Sequence, residues 1–175
     1  TGKQEDRHKA ISIFVVDKNK CIEISKLELM GVRGAGTSEL LFKDCRVPKE
    51  NLVGELNNGF KIVMDGLNEG RIITATTGLG IMQAAFDESV NYAKIREAMG
   101  KPIIEHEMIQ DMKIKLESSR LLIYNAAQKI DNNEIDYPMW SSMAKYATAK
   151  WGVDLVRLAM QIEGGFGYSK ESNVE

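Results

Sequence analysis

The side chains with the clearest capacity for chemistry are two arginines and the residues of a glycine-rich turn. Arg71 and Arg96 carry permanent guanidinium groups, which can hold carboxylate, phosphate or carbonyl groups. Gly164 and Gly165 follow Gln161, and glycines there could let the backbone approach a ligand closely. Each feature also has a structural alternative: an ion pair or a solvated helix end for the arginines, and a helix stop for the glycines.

Metal and disulfide chemistry are not favoured by the remaining reactive side chains. The chain has two cysteines, Cys21 and Cys45, without a C-x-x-C spacing, and two histidines, His8 and His106. This pattern disfavours a zinc site and a disulfide framework, and it predicts two reduced thiols of the cytosolic type.

Composition places the 175 residues among soluble globular proteins. The hydrophobic fraction is 43% and the charged fraction is 27%. A formal net charge of -2 gives no basic surface for nucleic acid, so nucleic-acid binding is disfavoured. No segment has the unbroken apolar length of a membrane span, and none is expected.

The first fifty or so residues have the composition of β-strands. Residues 10–16, 21–25 and 39–44 are rich in β-branched, aromatic or alternating apolar side chains. Pro48 ends the last of them, because proline cannot donate to a sheet ladder. Three or four strands leave open edges, which we expect chain upstream of Thr1 to pair.

From Asn58 onward apolar residues recur at spacings of three and four, as on one face of a helix. The first predicted helix ends near Gly100, the second runs roughly from Glu107 to Ile130, and the third ends at about Glu163. Such helices with short loops favour a bundle that lacks its fourth member. The predicted fold is α+β: a partial antiparallel β-barrel or sheet followed by an up-down, incomplete four-helix bundle.

Several segments, taken in order, resemble the acyl-CoA dehydrogenases. They read M-G-V-R-G-A-G-T-S-E-L-L-F-K-D-C-R-V-P-K-E-N-L-V-G, L-N-E-G-R, I-R-E-A-M-G-K-P-I, H-E-M-I-Q and Q-I-E-G-G-F-G-Y. The resemblance covers essentially the whole chain and depends on the colinear order of the segments. It implies that residues 1–56 are the C-terminal part of a middle β-domain. Residues 57–175 would be the first three helices of a C-terminal helical domain.

The resemblance implies a flavin-dependent oxidoreductase. In this family a carboxylate removes the proton α to an acyl-CoA thioester, while the β-hydrogen leaves as a hydride to FAD. The implied partners are acyl-CoA, identical subunits in a homodimer or homotetramer, and an electron-transfer flavoprotein as electron acceptor. A cytoplasmic location is expected. Alternatives are an acyl-CoA oxidase or flavin monooxygenase-like relative, and a non-catalytic helical assembly module.

No catalytic base is expected within the chain. The family's usual base lies in a Y-E-G-T-S-like segment beyond Glu175, so this interior piece would be inactive alone. Glu171 and Glu175 match a different acidic pair, which we interpret as structural. Some family members carry the base at the position of Gly70, and Glu69 is rotated from it by about 100° around the helix.

The resemblance assigns binding residues at two places. Arg71 and Asn68 match positions beside the acyl-CoA, and the loop residues Thr37 and Ser38 match a weaker flavin-side position. The second group matches positions that reach the flavin dinucleotide of a neighbouring subunit, and comprises Arg96, His106, Glu107, Gln161, Gly164 and Gly165. Met99 and Glu107 depart from the family pattern, which has an aromatic residue and a glutamine there.

Overall fold

The computed structural model describes residues 8–18, 21–105 and 107–174, without the side chains of Arg33, Glu105 and Glu107. The chain forms two compact units, Thr1–Met64 and Asp65–Glu175. The domain boundary predicted between residues 56 and 57 remains a prediction.

The first unit consists of short antiparallel strand pairs joined by loops and 3₁₀ turns. The strands of this unit are β1 (Ile13–Phe14), β2 (Ile22–Lys26), β3 (Ser38–Phe42) and β4 (Leu52–Val53). Strand β1 pairs with β4, and β2 pairs with β3 in a register that places Ile22 opposite Phe42. The described strands of this unit form two separate two-stranded sheets, and no closed barrel.

The prediction of two reduced thiols is wrong, because Cys21 and Cys45 form a disulfide with a Cα–Cα distance of 5.3 Å. The β2–β3 hairpin explains the pairing. Its ladder continues to Cys21, whose carbonyl accepts the N–H of Lys43 at 2.9 Å. Cys45 lies two residues farther along, at the open end of the hairpin, so cysteines 24 positions apart in sequence meet in space.

Three long helices make up most of the second unit. Helix α1 is Gly59–Ile95, α2 is Glu107–Asp131 and α3 is Tyr137–Glu163. Pro138 stands in the first turn of α3, where its missing N–H costs no helical hydrogen bond. Among the described residues, no helix is both long and apolar enough to cross a membrane.

Apolar side chains from all three helices share one core. Met82, Met112, Leu116 and Leu155 are completely buried there. Small residues let α1 and α3 approach closely, since a Cβ added to Gly78 would lie 2.9 Å from Cγ2 of Thr148.

Helix α1 ends before the predicted terminator at Gly100. A hairpin of β5 (Glu97–Ala98) and β6 (Lys101–Pro102) follows it. The two residues of its turn, Met99 and Gly100, both have positive φ, of 53° and 80°. That conformation matches the twist of paired strands, so the glycine closes a hairpin and does not end the helix as predicted.

The loop between α2 and α3 is closed by a cluster of charges. The Lys129 ammonium donates to the carboxylates of Glu134 and Asp136. The Trp140 indole N–H donates to Asp136 at 2.9 Å, and the Lys129 ammonium lies 5.5 Å from the centre of the Trp140 ring. The Trp140 N–H and then Lys129 lower the pKa of Asp136, while Glu134 and Asp136 raise the pKa of Lys129.

Candidate functional site

The glycine turn after α3 has a shape that the sequence imposes. Gly164 has φ 61° and ψ -133°, a backbone conformation that side-chain-bearing residues rarely adopt. Its N–H donates to the carbonyl of Met160 at 3.0 Å and so closes the end of the helix. Gly165 returns to a helical conformation, and the 3₁₀ turn Phe166–Tyr168 follows.

A groove lies against this turn. It has a volume of about 520 Å³ and is lined by Arg157, Met160, Gln161, Gly164, Gly165 and Tyr168. A Cβ added to Gly164 or Gly165 would meet no other atom within 4 Å. Both glycines therefore present bare backbone to the groove, which a ligand could approach closely.

Gln161 connects this groove with the start of α2. It also lines a smaller cavity of about 220 Å³ together with Ile103, Met108, Ile109 and Ile162. The N–H of Ile103 in turn donates to the carbonyl of Arg96 at 2.9 Å. The end of α1, the start of α2 and the end of α3 therefore meet at one end of the helical unit.

This end of the unit brings together most of the predicted cofactor residues. Gln161, Gly164 and Gly165 line one groove. The Arg96 carbonyl is hydrogen-bonded to Ile103, which lines the small cavity together with Gln161. His106 lies outside the described residues, and Glu107 begins α2 with a side chain that is not described.

Two guanidinium groups at this end are available to an anion. Arg96 and Arg157 are exposed, and neither forms an ion pair or side-chain hydrogen bond with a residue that the structure describes. Arg157 was not among the site residues predicted from the sequence. The available signal was its spacing, because a residue four positions before Gln161 lies on the same helix face.

Arg71 and Asn68 form a second, separate cluster. The Arg71 Nη1 donates to the Asn68 Oδ1, one helical turn earlier on α1, and both residues are partly buried. This contact fixes the guanidinium on the helix and leaves its other N–H groups for a ligand. Arg71 lies on α1 and Arg96 follows directly after its end, 25 residues later, which corresponds to about 38 Å along the helix axis.

The remaining predicted positions carry little geometric support. The Ser38 hydroxyl donates to the carbonyl of Gly36 at 3.2 Å, a local contact within the loop that also holds Thr37. Glu171 is exposed, and its N–H donates to the Ser169 hydroxyl at 3.3 Å. Glu175 lies outside the described residues.

Comparison with known families identifies this arrangement. The sequence model of the acyl-CoA dehydrogenase C-terminal domain matches residues 57–175. The chain belongs to the acyl-CoA dehydrogenase family. The resemblance drawn from the sequence is thereby confirmed.

Individual relatives agree with this assignment. The chain is 41% identical to the CarC subunit of the caffeyl-CoA reductase–Etf complex of Acetobacterium woodii, covering 95% of this chain and 45% of the relative. It is 42% identical to the mitochondrial short-chain specific acyl-CoA dehydrogenase of Sus scrofa, covering 97% of this chain and 42% of the relative. The chain thus spans less than half the length of these acyl-CoA dehydrogenase relatives.

A solved structure agrees with the fold. The butyryl-CoA dehydrogenase of Megasphaera elsdenii superimposes with a TM-score of 0.92 at 34% identity, covering 98% of this chain and 46% of that structure. The predicted fold class, antiparallel strands followed by long helices, is confirmed, with paired strands in place of a closed barrel among the described residues.

Proposed function

We propose that the protein carrying this chain is a FAD-dependent acyl-CoA dehydrogenase. The observation that carries the proposal is the groove at the end of α3, where Gln161, Gly164 and Gly165 lie beside the Arg157 guanidinium, which pairs with none of the described residues. Open backbone beside an unpaired cation fits a phosphate-bearing ligand, because guanidinium binds phosphate through paired, charge-assisted hydrogen bonds. When bound, FAD supplies the acceptor for the hydrogen that leaves the β-carbon as a hydride.

The chain's own residues would hold and orient the two ligands. Arg96 and Arg157 would neutralise the pyrophosphate of the dinucleotide, and the backbone at Gly164 and Gly165 would pack against it. Arg71, held by Asn68, would bind the acyl-CoA through its remaining N–H groups. Arg71 lies about 38 Å, along the axis of α1, from Arg96 just past the end of that helix, so we assign the two clusters to active sites shared between copies of the chain in a homodimer or homotetramer.

We assign no catalytic base to the described residues. Glu69 is exposed beside Gly70, Glu163 is buried and hydrogen-bonded to Ser172, and Glu171 is exposed in the final turn. The carboxylate that takes the α-proton would then come from a segment outside this chain.

The reverse reaction is a second candidate. The CarC relative is named for a caffeyl-CoA reductase–Etf complex, and its identity of 41% is close to the 42% of the dehydrogenase relative. The same protein groups would serve reduction of an α,β-unsaturated acyl-CoA, since catalysis lowers the barrier in both directions. The Etf in that complex supports an electron-transfer flavoprotein as the electron partner in either direction.

Cofactor binding in the intact protein tests the proposed function. FAD titration of Arg96→Ala and Arg157→Ala variants should each show a dissociation constant raised roughly 10- to 100-fold, from the loss of charge-assisted hydrogen bonds. Lys150→Ala is the matched control, since Lys150 is exposed on the same helix as Arg157 and does not line the groove. Wild-type protein that neither contains nor binds FAD would contradict the proposal.

We also propose a cytoplasmic location. Disulfides are rare in that compartment, so the Cys21–Cys45 disulfide would have to form despite the reducing conditions there. Cell fractionation followed by immunoblotting tests the location, and recovery of the protein outside the cytoplasmic fraction would contradict it.

A further inference from the structure

Glu163, the last residue of α3, is a buried carboxylate to which the proposed function gives no role. Its exposed fraction is 3%, and its Oε2 accepts a hydrogen bond of 2.6 Å from the hydroxyl of Ser172. No lysine or arginine among the described residues pairs with it. Burying a carboxylate is costly, so this hydroxyl is the contact that most directly compensates for its burial.

Ser172 also forms a second hydrogen bond, to Val174 at the end of the described chain. Its Oγ accepts the N–H of Val174 at 3.2 Å while its hydroxyl hydrogen points to Glu163. Ser172 and Val174 are both buried, at 6% and 3% exposure. Successive hydrogen bonds polarise one another, so the three residues act as one chain of contacts.

The Glu163–Ser172 bond joins residues nine positions apart and thereby closes a loop. That loop contains Gly164, Gly165 and Tyr168, which line the groove. Within it Gly167 is buried against α3, where an added Cβ would lie 2.8 Å from the carbonyl oxygen of Met160. The loop thus folds back on the helix, and the Glu163–Ser172 bond holds it there on the far side of Gly167.

We propose that Glu163 and Ser172 are a positioning pair that fixes the glycine turn in the shape required for dinucleotide binding. Neither residue touches the groove. They act through the backbone of Gly164 and Gly165, whose conformation depends on where the loop returns to α3. This inference rests on the proposed function, because it assigns the groove to the cofactor.

FAD affinity of the intact protein, measured by flavin fluorescence, provides the test. Ser172→Ala removes the donor to a charged group, and we expect the dissociation constant to rise about tenfold or more. Glu163→Gln keeps an amide oxygen that can accept the Ser172 hydrogen, so it should remain within about threefold of wild type. Ser142→Ala is the matched control, because the exposed Ser142 makes only a local helix bond at the other end of α3.

A second readout separates positioning from a general loss of structure. At saturating FAD the Michaelis constant for acyl-CoA should stay unchanged in Ser172→Ala, since Arg71, which would bind the acyl-CoA, is held by Asn68 and not by the loop. Unchanged FAD affinity in Ser172→Ala would overturn the pairing, and so would equal weakening by Ser172→Ala and Glu163→Gln. A parallel loss of acyl-CoA binding would show a structural role only, and would also overturn it.

Hydrogen exchange of wild-type apoprotein keeps the inference testable if Ser172→Ala does not fold. The amides of Ser169 and Val174 should be protected, because they donate to Phe166 and to Ser172. Exchange at the rate of an unstructured peptide would refute the positioning pair. Failure of wild type to bind FAD while these amides remain protected would instead refute the proposed function.

Discussion

The three glycines after α3 are predicted to respond differently to the same added methyl group. At Gly167 an alanine Cβ would lie 2.8 Å from the Met160 carbonyl oxygen and 3.1 Å from the Cα of Met160 and the Cβ of Glu163. Two of these atoms are backbone and cannot rotate away. Overpacking of this kind costs about 1–3 kcal/mol, so Gly167→Ala should lower the free energy of unfolding by about that amount.

The other two positions separate backbone strain from steric overlap. Gly164 has open space around it but a φ of 61°, so Gly164→Ala should cost about 1–3 kcal/mol through strain alone. Gly165 has φ -60° and ψ -28°, also with open space, so alanine is compatible there. Gly165→Ala should leave stability unchanged or raise it by about 0.4–1 kcal/mol, because alanine restricts the unfolded chain.

Urea unfolding followed by tryptophan fluorescence measures these differences. Trp140 and Trp151 are the only tryptophans in the chain, and both lie in α3, so the signal reports on the helical unit. In Gly165→Ala the added methyl group would enter the groove. We therefore expect this variant of the intact protein to bind FAD more weakly without losing stability. If Gly165→Ala destabilised the unit as much as Gly167→Ala does, the described turn would be wrong.

Two further predictions concern contacts outside the groove. Trp140→Phe removes the leading cause of the lowered pKa of Asp136. Because the pKa of Asp136 is lower in the folded than in the unfolded protein, ionised Asp136 stabilises the fold at pH values above its unfolded pKa of about 3.9. That stabilisation is lost as pH falls through the folded-state pKa. The loss of stability in Trp140→Phe should therefore be largest near pH 7 and shrink below pH 4. Comparable instability at pH 3 and pH 7 would contradict it. For the disulfide, Cys45→Ala should cost about 2–4 kcal/mol in non-reducing buffer, and the difference should vanish with reductant. Thiol titration of denatured, unreduced wild type should find neither Cys21 nor Cys45 free.

Local signals were sufficient for most of the helical unit. The third helix ends at Glu163, as predicted, and its observed bounds Tyr137–Glu163 place Pro138 in its first turn and Gly164 directly after its end. Proline tolerates the first turn and glycine tolerates positive φ, so both boundaries are set by residues within one turn of the helix end. The candidate cofactor residues near this end were assigned from the resemblance of contiguous segments to the family, and their role stays a prediction.

Features that depend on tertiary packing were not predictable. Leu121 fits the apolar stripe of α2 by spacing, yet it is 70% exposed, because spacing cannot tell which edge of a stripe meets a partner. Gly100 was predicted to end a helix, yet it lies in a hairpin turn with Met99. Both structures use a residue with positive φ, so the glycine alone does not distinguish them. The disulfide needed the register of β2 and β3, which no single segment contains. Arg157 has a local signal in its spacing from Gln161, but that spacing does not show that the shared helix face borders a groove.

The distance between Arg71 and Arg96 leads to a prediction about how copies of the chain share an active site. Arg71 and Arg96 lie about 38 Å apart, so we expect one active site to take Arg71 from one copy and Arg96 from its neighbour. Arg71→Ala and Arg96→Ala proteins should each be nearly inactive in oxidising acyl-CoA. Unfolded and refolded together in equal amounts, they should regain about one quarter of the wild-type activity, because random pairing in a symmetric oligomer makes that share of sites intact. If the mixture is no more active than its parents, the two arginines serve a site within one copy, or no shared site at all.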